Sequence, residues 1–192
     1  MTLIKLNLKQ IVDLTDRQFV EICQTNRDYK FERTVAGELL ILRQPDRQIK
    51  QWIWSIASQL WTWNQQTGLG GNFDSLTAFK LPNGAIRSPH LAWIHSERWS
   101  SLTLEQREPI VPLCPDFAIE LLSADDHWET LQQKMQDYQE QGTRLGWLID
   151  PIVKKIEIYH SGQGMKKIQS PDFLSGENVL PGFVLDMKSI FQ

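Results

Sequence analysis

Glu120 is the residue most out of place in this sequence. It interrupts an apolar run, Phe117-Ala-Ile-Glu-Leu-Leu122, that otherwise reads as a buried strand. Side chains two apart in a strand share a face, so Asp116, Ala118, Glu120 and Leu122 point one way. Phe117, Ile119 and Leu121 point the other way, into a core. A carboxylate without a partner in apolar surroundings is costly, so Glu120 should face a cleft, a metal or a cation. Asp116 lies ~13 Å along the strand from Glu120, too far for one ion to be bound directly by both. Any partner ligand must come from another strand. The plainer alternative is an arginine pairing with Glu120 at a solvated sheet edge.

Two other side chains could join it. Lys134 follows Leu131 by three residues and precedes Tyr138 by four, which puts it beside an apolar helical stripe rather than opposite it. It can snorkel to solvent, or reach over the sheet toward Glu120 and stabilise developing negative charge. His90 follows Arg87-Ser-Pro and can be a metal ligand, a general base or a plain hydrogen-bonded histidine. No HxxH or HExxH spacing supports zinc, and no phosphate-binding glycine loop is present. Ser123 lies in no GxSxG elbow. Trp54 and Trp61 fall outside the apolar stripe of their helix, where they suit a partner surface, base stacking or tertiary packing.

The elements that must position these residues follow from periodicity and punctuation. Thr15-Asp-Arg-Gln18 fits a capping box, so a helix is expected to about Asn26. Strands at 29–34 and 38–42 flank an Ala36-Gly37 turn. Pro45-Asp46 opens a long helix with Ile49, Trp52, Ile53, Ile56, Leu60 and Trp63 on one stripe, ended by Gly68, Gly70 and Gly71, read as a turn. Strand-like runs follow at 77–81, 86–87 and 91–94, with a Pro82-Asn-Gly84 turn between the first two. The polar stretch 102–108 holds a short helix at most. A helix is expected over 127–141, then strands at 145–149 and 156–159, and a short terminal helix at 187–191. Strands and helices mix without strict alternation, which argues α+β, a mixed sheet flanked by helices.

Length and composition bound the rest. The chain has 192 residues, the size of one domain, 1–192, with the helix at about 15–26 as an extension. Twenty basic residues against twenty-three acidic ones give a net charge of −3, so no global basic footprint marks nucleic-acid binding, although local charge can still provide one. Cys23 and Cys114 exclude a disulfide scaffold. No apolar run is long enough to span a membrane, and no signal peptide is evident, so a cytoplasmic setting is expected.

The order of these pieces resembles a known family. A glutamate-containing hairpin, a long helix, a Ser-Pro-Asp-like strand and a Pro115-Asp-x-x-x-Glu120 strand are followed by a helix with Lys134 and Tyr138. Gly146-Trp-Leu-Ile-Asp-Pro151 comes next, and Leu180-Pro-Gly-Phe183 closes the chain. From about Phe31 to Phe191 this resembles the Uma-two family, restriction-endonuclease-like proteins of the PD-(D/E)XK nuclease superfamily. The resemblance implies a mixed central β-sheet with flanking helices. It also implies cleavage of DNA phosphodiesters with Mg²⁺ or Mn²⁺, and a homodimer. Glu120 matches the metal-binding glutamate. Lys134 matches the lysine moved onto the helix, because Leu122 fills its usual strand position. Glu38, in Gly37-Glu-Leu-Leu40, matches an accessory glutamate. Asp116 and Tyr138 are expected to support the site from behind the ligands. His90 departs from the pattern, since the family has Asp after Ser-Pro as a bridging ligand. With His90 and Glu120 as the metal pair, Mg²⁺ should bind weakly, because it prefers oxygen, whereas imidazole suits Mn²⁺, Zn²⁺ or Ni²⁺. Cleavage is then reduced or absent. The alternatives are a catalytically inactive nuclease-fold protein that binds nucleic acid or a protein partner, and an enzyme on another phosphoester.

Overall fold

In the computed structural model, which describes residues 4–9, 11–43, 45–124 and 126–191, the helix starts are set by the expected caps. Helix α1 (Asp16–Thr25) opens on a Thr15–Gln18 capping box. Helix α2 (Arg47–Thr67) opens where the Asp46 carboxylate accepts the Ile49 N–H at 2.9 Å and closes on Gly68 in the left-handed region, φ 65°. Helix α4 (Trp128–Glu140) buries Leu131, Lys134, Met135 and Tyr138. A single short helix, α3 (Ser96–Ser100), intervenes.

Strands β1 (Ile4–Leu6), β2 (Tyr29–Arg33), β3 (Leu39–Arg43), β5 (Ala78–Lys80), β6 (Ile86–Arg87) and β8 (Ile110–Val111) form one six-stranded sheet, ordered β1-β3-β2-β6-β5-β8. A second six-stranded sheet is built from β4 (Gly70–Asp74), β7 (Leu91–His95), β9 (Phe117–Leu121), β10 (Leu145–Asp150), β11 (Lys155–His160) and β12 (Lys166–Gln169), ordered β12-β11-β10-β9-β7-β4. Strands β13 (Phe173–Ser175) and β14 (Val184–Asp186) make a small ribbon. Both large sheets are mixed. In the second, β9 and β10 run parallel, and α4 is the crossover that a parallel pair requires. This is the expected class, mixed α+β with helices on the sheets, but with two large sheets in place of one.

The β9 alternation holds. Phe117, Ile119 and Leu121 enter a core with Ile56, Leu60 and Trp63 of α2 and Leu180 and Phe183 of the tail. Ala118, on the opposite face, packs with Met135 and Tyr138 of α4 and with Phe79 and Val111 of the first sheet. A third cluster joins Phe19 of α1 to Phe31, Leu39 and Ile86.

Two local expectations are corrected. Gly70 and Gly71 do not form a turn but begin β4, paired with β7. A Cβ at Gly70 would stand 2.2 Å from the Ile94 carbonyl oxygen, so the glycine is there for close approach of two strands. Residues 187–191 form a single turn rather than a helix, with Ile190 and Phe191 donating back to the Met187 carbonyl after β14. The stretch 102–108 holds a short 3₁₀ helix, Glu105–Arg107, as expected.

Candidate active site

The first sheet brings a charged face to the edge of the second. In β2, Phe31 and Arg33 point toward α1: Phe31 is core, and Arg33 donates to the Leu14 carbonyl at 2.7 Å and pairs with Asp16. Lys30 and Glu32 therefore share the other face. Strand β6 lies beside β2 and contributes Arg87, and the chain then runs through Ser88 and Pro89 to His90, just before β7. Glu120 sits near the carboxyl end of β9, and α4 lays Lys134 over it. The carboxyl ends of strands, where helices begin, are the usual place for ligands in sheets of this kind.

The Lys134 ammonium is the centre of the cluster. It lies 2.7 Å from Glu120 Oε1 and 2.7 Å from Glu32 Oε1, and donates to the Ser88 carbonyl at 3.3 Å. Lys30 donates to the same carbonyl at 2.6 Å. Glu32 Oε1 also accepts the Ser88 N–H at 3.0 Å, and its Oε2 meets Arg87 Nη1 at 3.3 Å. Arg87 in turn pairs with Asp137. The Tyr138 hydroxyl donates to Glu120 Oε1 at 3.4 Å. Glu32 and Glu120 are each 1% exposed, so the pairs are shielded from bulk water.

These contacts set the protonation states. Burial alone would raise the pKa of Glu120, but the Lys134 and Lys30 ammonium groups and the adjoining His90 ring outweigh it. Glu120 is held well below the usual carboxylate range. Glu32 is lowered in the same way, burial being outweighed by Lys134, Arg87 and Lys30. Burial pulls Lys30 down to about 8, helped by the neighbouring Lys134 charge and only partly opposed by the carboxylates. Lys134 is raised despite its burial because it lies between two carboxylates. Burial and the nearby carboxylates push the Tyr138 hydroxyl well up, so it stays a neutral donor.

The cluster forms the floor of an open cleft of about 730 Å³. Its walls come from the β2–β3 hairpin, with Thr34 and Leu40, and from the start of α4, with His127 and Thr130.

Of the residues expected from sequence, the fold brings Glu120, His90, Lys134 and Tyr138 together. Glu38 is elsewhere: it follows the hairpin turn, takes the Thr34 hydroxyl at 3.1 Å and pairs with Lys5 at 2.8 Å. Glu32 occupies the place expected of it. The signal was available, because Glu32 is the hairpin glutamate in mid-strand, sharing a face with Lys30 across the apolar Phe31. Asp116 lies at the far end of β9. There it accepts the His95 N–H at 2.9 Å and pairs with Arg98 at 2.9 Å, fastening β7 and α3 to β9.

The fit of a divalent metal can be judged from the donors. Glu120 Oε1 and both oxygens of Glu32 are taken by Lys134, Ser88 and Arg87. His90 Nδ1 lies 2.8 Å from Glu120 Oε2 and 3.2 Å from the Leu121 nitrogen, and whether it donates to the first or accepts from the second its single lone pair is not free for a metal. Of the Glu32 and Glu120 oxygens, Glu120 Oε2 alone is free of lysine, arginine and backbone donors. Among the described residues no group of three His, Cys, Asp or Glu side chains is placed to hold a metal ion. The residues present do not fit Mg²⁺, which is held by carboxylates and water oxygens.

The molecule is a two-sheet α+β frame with buried glutamates and a lysine under an open cleft. The sequence profile of the family described as "Uma2: Putative restriction endonuclease" matches residues 16–188, and the chain belongs to that family. A crystal structure of "a putative nuclease belonging to DUF820" from Anabaena variabilis ATCC 29413 shares the fold. Its TM-score is 0.72 at 21% identity, covering 84% of this chain and 89% of that one. Comparison with curated proteins gives no match.

Proposed function

We propose that this chain acts on DNA, receiving the phosphodiester backbone in the cleft above Glu120 as a restriction-endonuclease-like protein. The observation that carries the reading is the Lys134 ammonium, fixed 2.7 Å from both Glu120 and Glu32 on the floor of that cleft. Phosphodiester hydrolysis passes through a phosphorane with extra negative charge, and a cation already in place stabilises it without reorganising. Lys134 supplies that cation, and Lys30 beside it supplies a second. Glu120, ionised and held by Tyr138, orients water at the phosphorus. Family membership supports the nuclease reading. Enzymes of this kind draw Lewis-acid activation from Mg²⁺ or Mn²⁺, but the donor set here does not fit the ion, and no step is assigned to it.

That misfit favours a second reading, binding without hydrolysis, because His90 stands where a second carboxylate is expected. The proposal includes a homodimer, with Trp54 and Trp61 of α2 in its contact, both rings being exposed. It also includes a cytoplasmic setting, supported by two free thiols, Cys23 and Cys114. Among the described residues, no helix is long and apolar enough to cross a membrane.

Fluorescence anisotropy with a labelled duplex tests the ligand. Binding should weaken steeply with salt, and Lys30→Gln should lower the log–log salt slope by about 1. Affinity that ignores salt, or no binding, would overturn the DNA reading. Nicking of a supercoiled plasmid in Mg²⁺, lost in Glu120→Gln, would decide for hydrolysis over binding alone.

A further inference from the structure

We propose that in this chain buried side-chain cations have replaced the divalent ion and that His90 completes the closure of its position, so that His90→Asp opens a binding site for Mg²⁺ or Mn²⁺. The inference rests on the reading of this cleft as the nuclease-type site.

The first ground is charge. The cluster contains three carboxylates, Glu32, Glu120 and Asp137, and three cations, Lys30, Lys134 and Arg87, joined through direct contacts or the shared Ser88 carbonyl. It is balanced as it stands. A dication added here would leave an excess of two positive charges in a site shielded from water, which is strongly unfavourable.

The second ground is lone pairs. His90 Nδ1 has no lone pair to give in either state: it accepts the Leu121 N–H at 3.2 Å or, protonated, donates toward Glu120 Oε2 at 2.8 Å, and its Nε2 is buried without a hydrogen-bond partner. Glu120 Oε2 is also buried, and its one close neighbour is the His90 ring, 2.8 Å away at Nδ1. One unsatisfied carboxylate oxygen is present where a metal needs at least a pair.

Aspartate changes both terms. A carboxylate oxygen of Asp occupies nearly the place of histidine Nδ1 relative to the backbone. One oxygen can keep the Leu121 N–H while its remaining lone pairs, and the second oxygen, face Glu120 Oε2. Two carboxylates in contact cannot both stay ionised without a cation between them. The added negative charge offsets half of an incoming dication. Asparagine places the same oxygen without the charge, and so serves as the control.

The test is calorimetric titration of MgCl₂ and MnCl₂, without DNA, into the wild type, His90→Asp, His90→Asn and His90→Asp/Glu120→Gln, with circular dichroism to establish folding. The wild type and His90→Asn should give no saturable heat, His90→Asp should bind one equivalent of Mn²⁺, and the double variant should lose it. Wild-type DNA affinity should be unchanged by EDTA. Saturable binding of one equivalent by the wild type would overturn the proposal and needs no variant to fold. So would a folded His90→Asp that binds neither ion. Failure of the DNA reading appears instead as absent anisotropy change, whatever the metal titration gives.

Discussion

Lys30 and Glu32, two residues apart on one strand face, carry the sharpest consequences at the residue scale. The Lys30 pKa, about 8, is depressed below its unfolded value of 10.5. Between these values the unfolded chain binds the extra proton, so stability attributable to Lys30 rises with pH across that window. Urea titrations should show the wild type gaining on Lys30→Met between pH 8 and 10.5. DNA affinity should fall over the same rise as the ammonium is lost, and Lys30→Arg should retain it at pH 9. The carboxylates follow the same sign in a more acidic window. Glu32 and Glu120 are depressed in the folded state, so their contribution is complete above the ordinary carboxylate value of 4.5 and is lost as pH falls below it. Glu120→Gln should flatten the stability profile on the acid side of pH 4.5. Glu32→Ala leaves Lys134 and Arg87 short of a buried partner and should lower stability by about 3 kcal/mol or more. Glu38→Gln weakens a partly exposed pair with Lys5 while its amide oxygen can still accept the Thr34 hydroxyl, so the urea midpoint should be nearly unchanged.

The strands explain why these side chains meet. Pairing of β2 with β6 sets Glu32 against Arg87 and Ser88, and pairing of β7 with β9 sets His90 beside Glu120. The edge strand β4 depends on close backbone approach at Gly70. An added Cβ meets the Ile94 backbone oxygen at 2.2 Å and the Trp93 ring at 2.5 Å, neither of which can yield without moving β7. Gly70→Ala should therefore destabilise by about 2–3 kcal/mol and, through β7, disturb His90. Gly146 is a useful contrast. Its Cβ would meet only the Met135 methyl at 2.4 Å, the far end of a flexible side chain, so Gly146→Ala should cost less in the same denaturation assay.

Across the whole molecule, the cores are layered. The second sheet packs against α2 and the tail on one face, and against α4 and the first sheet on the other. The site lies at the junction of the two sheets, so its geometry depends on their docking. We propose that the chain unfolds as one cooperative unit. Differential scanning calorimetry should then give equal calorimetric and van't Hoff enthalpies, and two resolved transitions would refute this. With a net charge of −3, the proposed DNA binding must draw on local cations rather than the molecule's overall field.

What the sequence determined by itself was local. Period-two alternation placed Glu120 opposite the β9 core residues, period-3.6 spacing placed Lys134 beside Leu131 and Tyr138, and Thr15, Asp46 and Gly68 set helix ends, because each depends on near neighbours in the chain. The tertiary structure decided the rest. It chose Glu32 over Glu38, and it added Lys30 and Arg87 to the cluster. It also gave Asp116, already distant from Glu120 by strand spacing, its partners His95 and Arg98, and used Gly70 for strand contact rather than a turn. Each of those outcomes turns on partners far away in sequence, such as Arg87 for Glu32 or Ser88 for Lys134. Local periodicity fixes which way a side chain points, whereas the register of paired strands and the docking of α4 fix what it meets, and in a buried charge cluster the partners decide the chemistry.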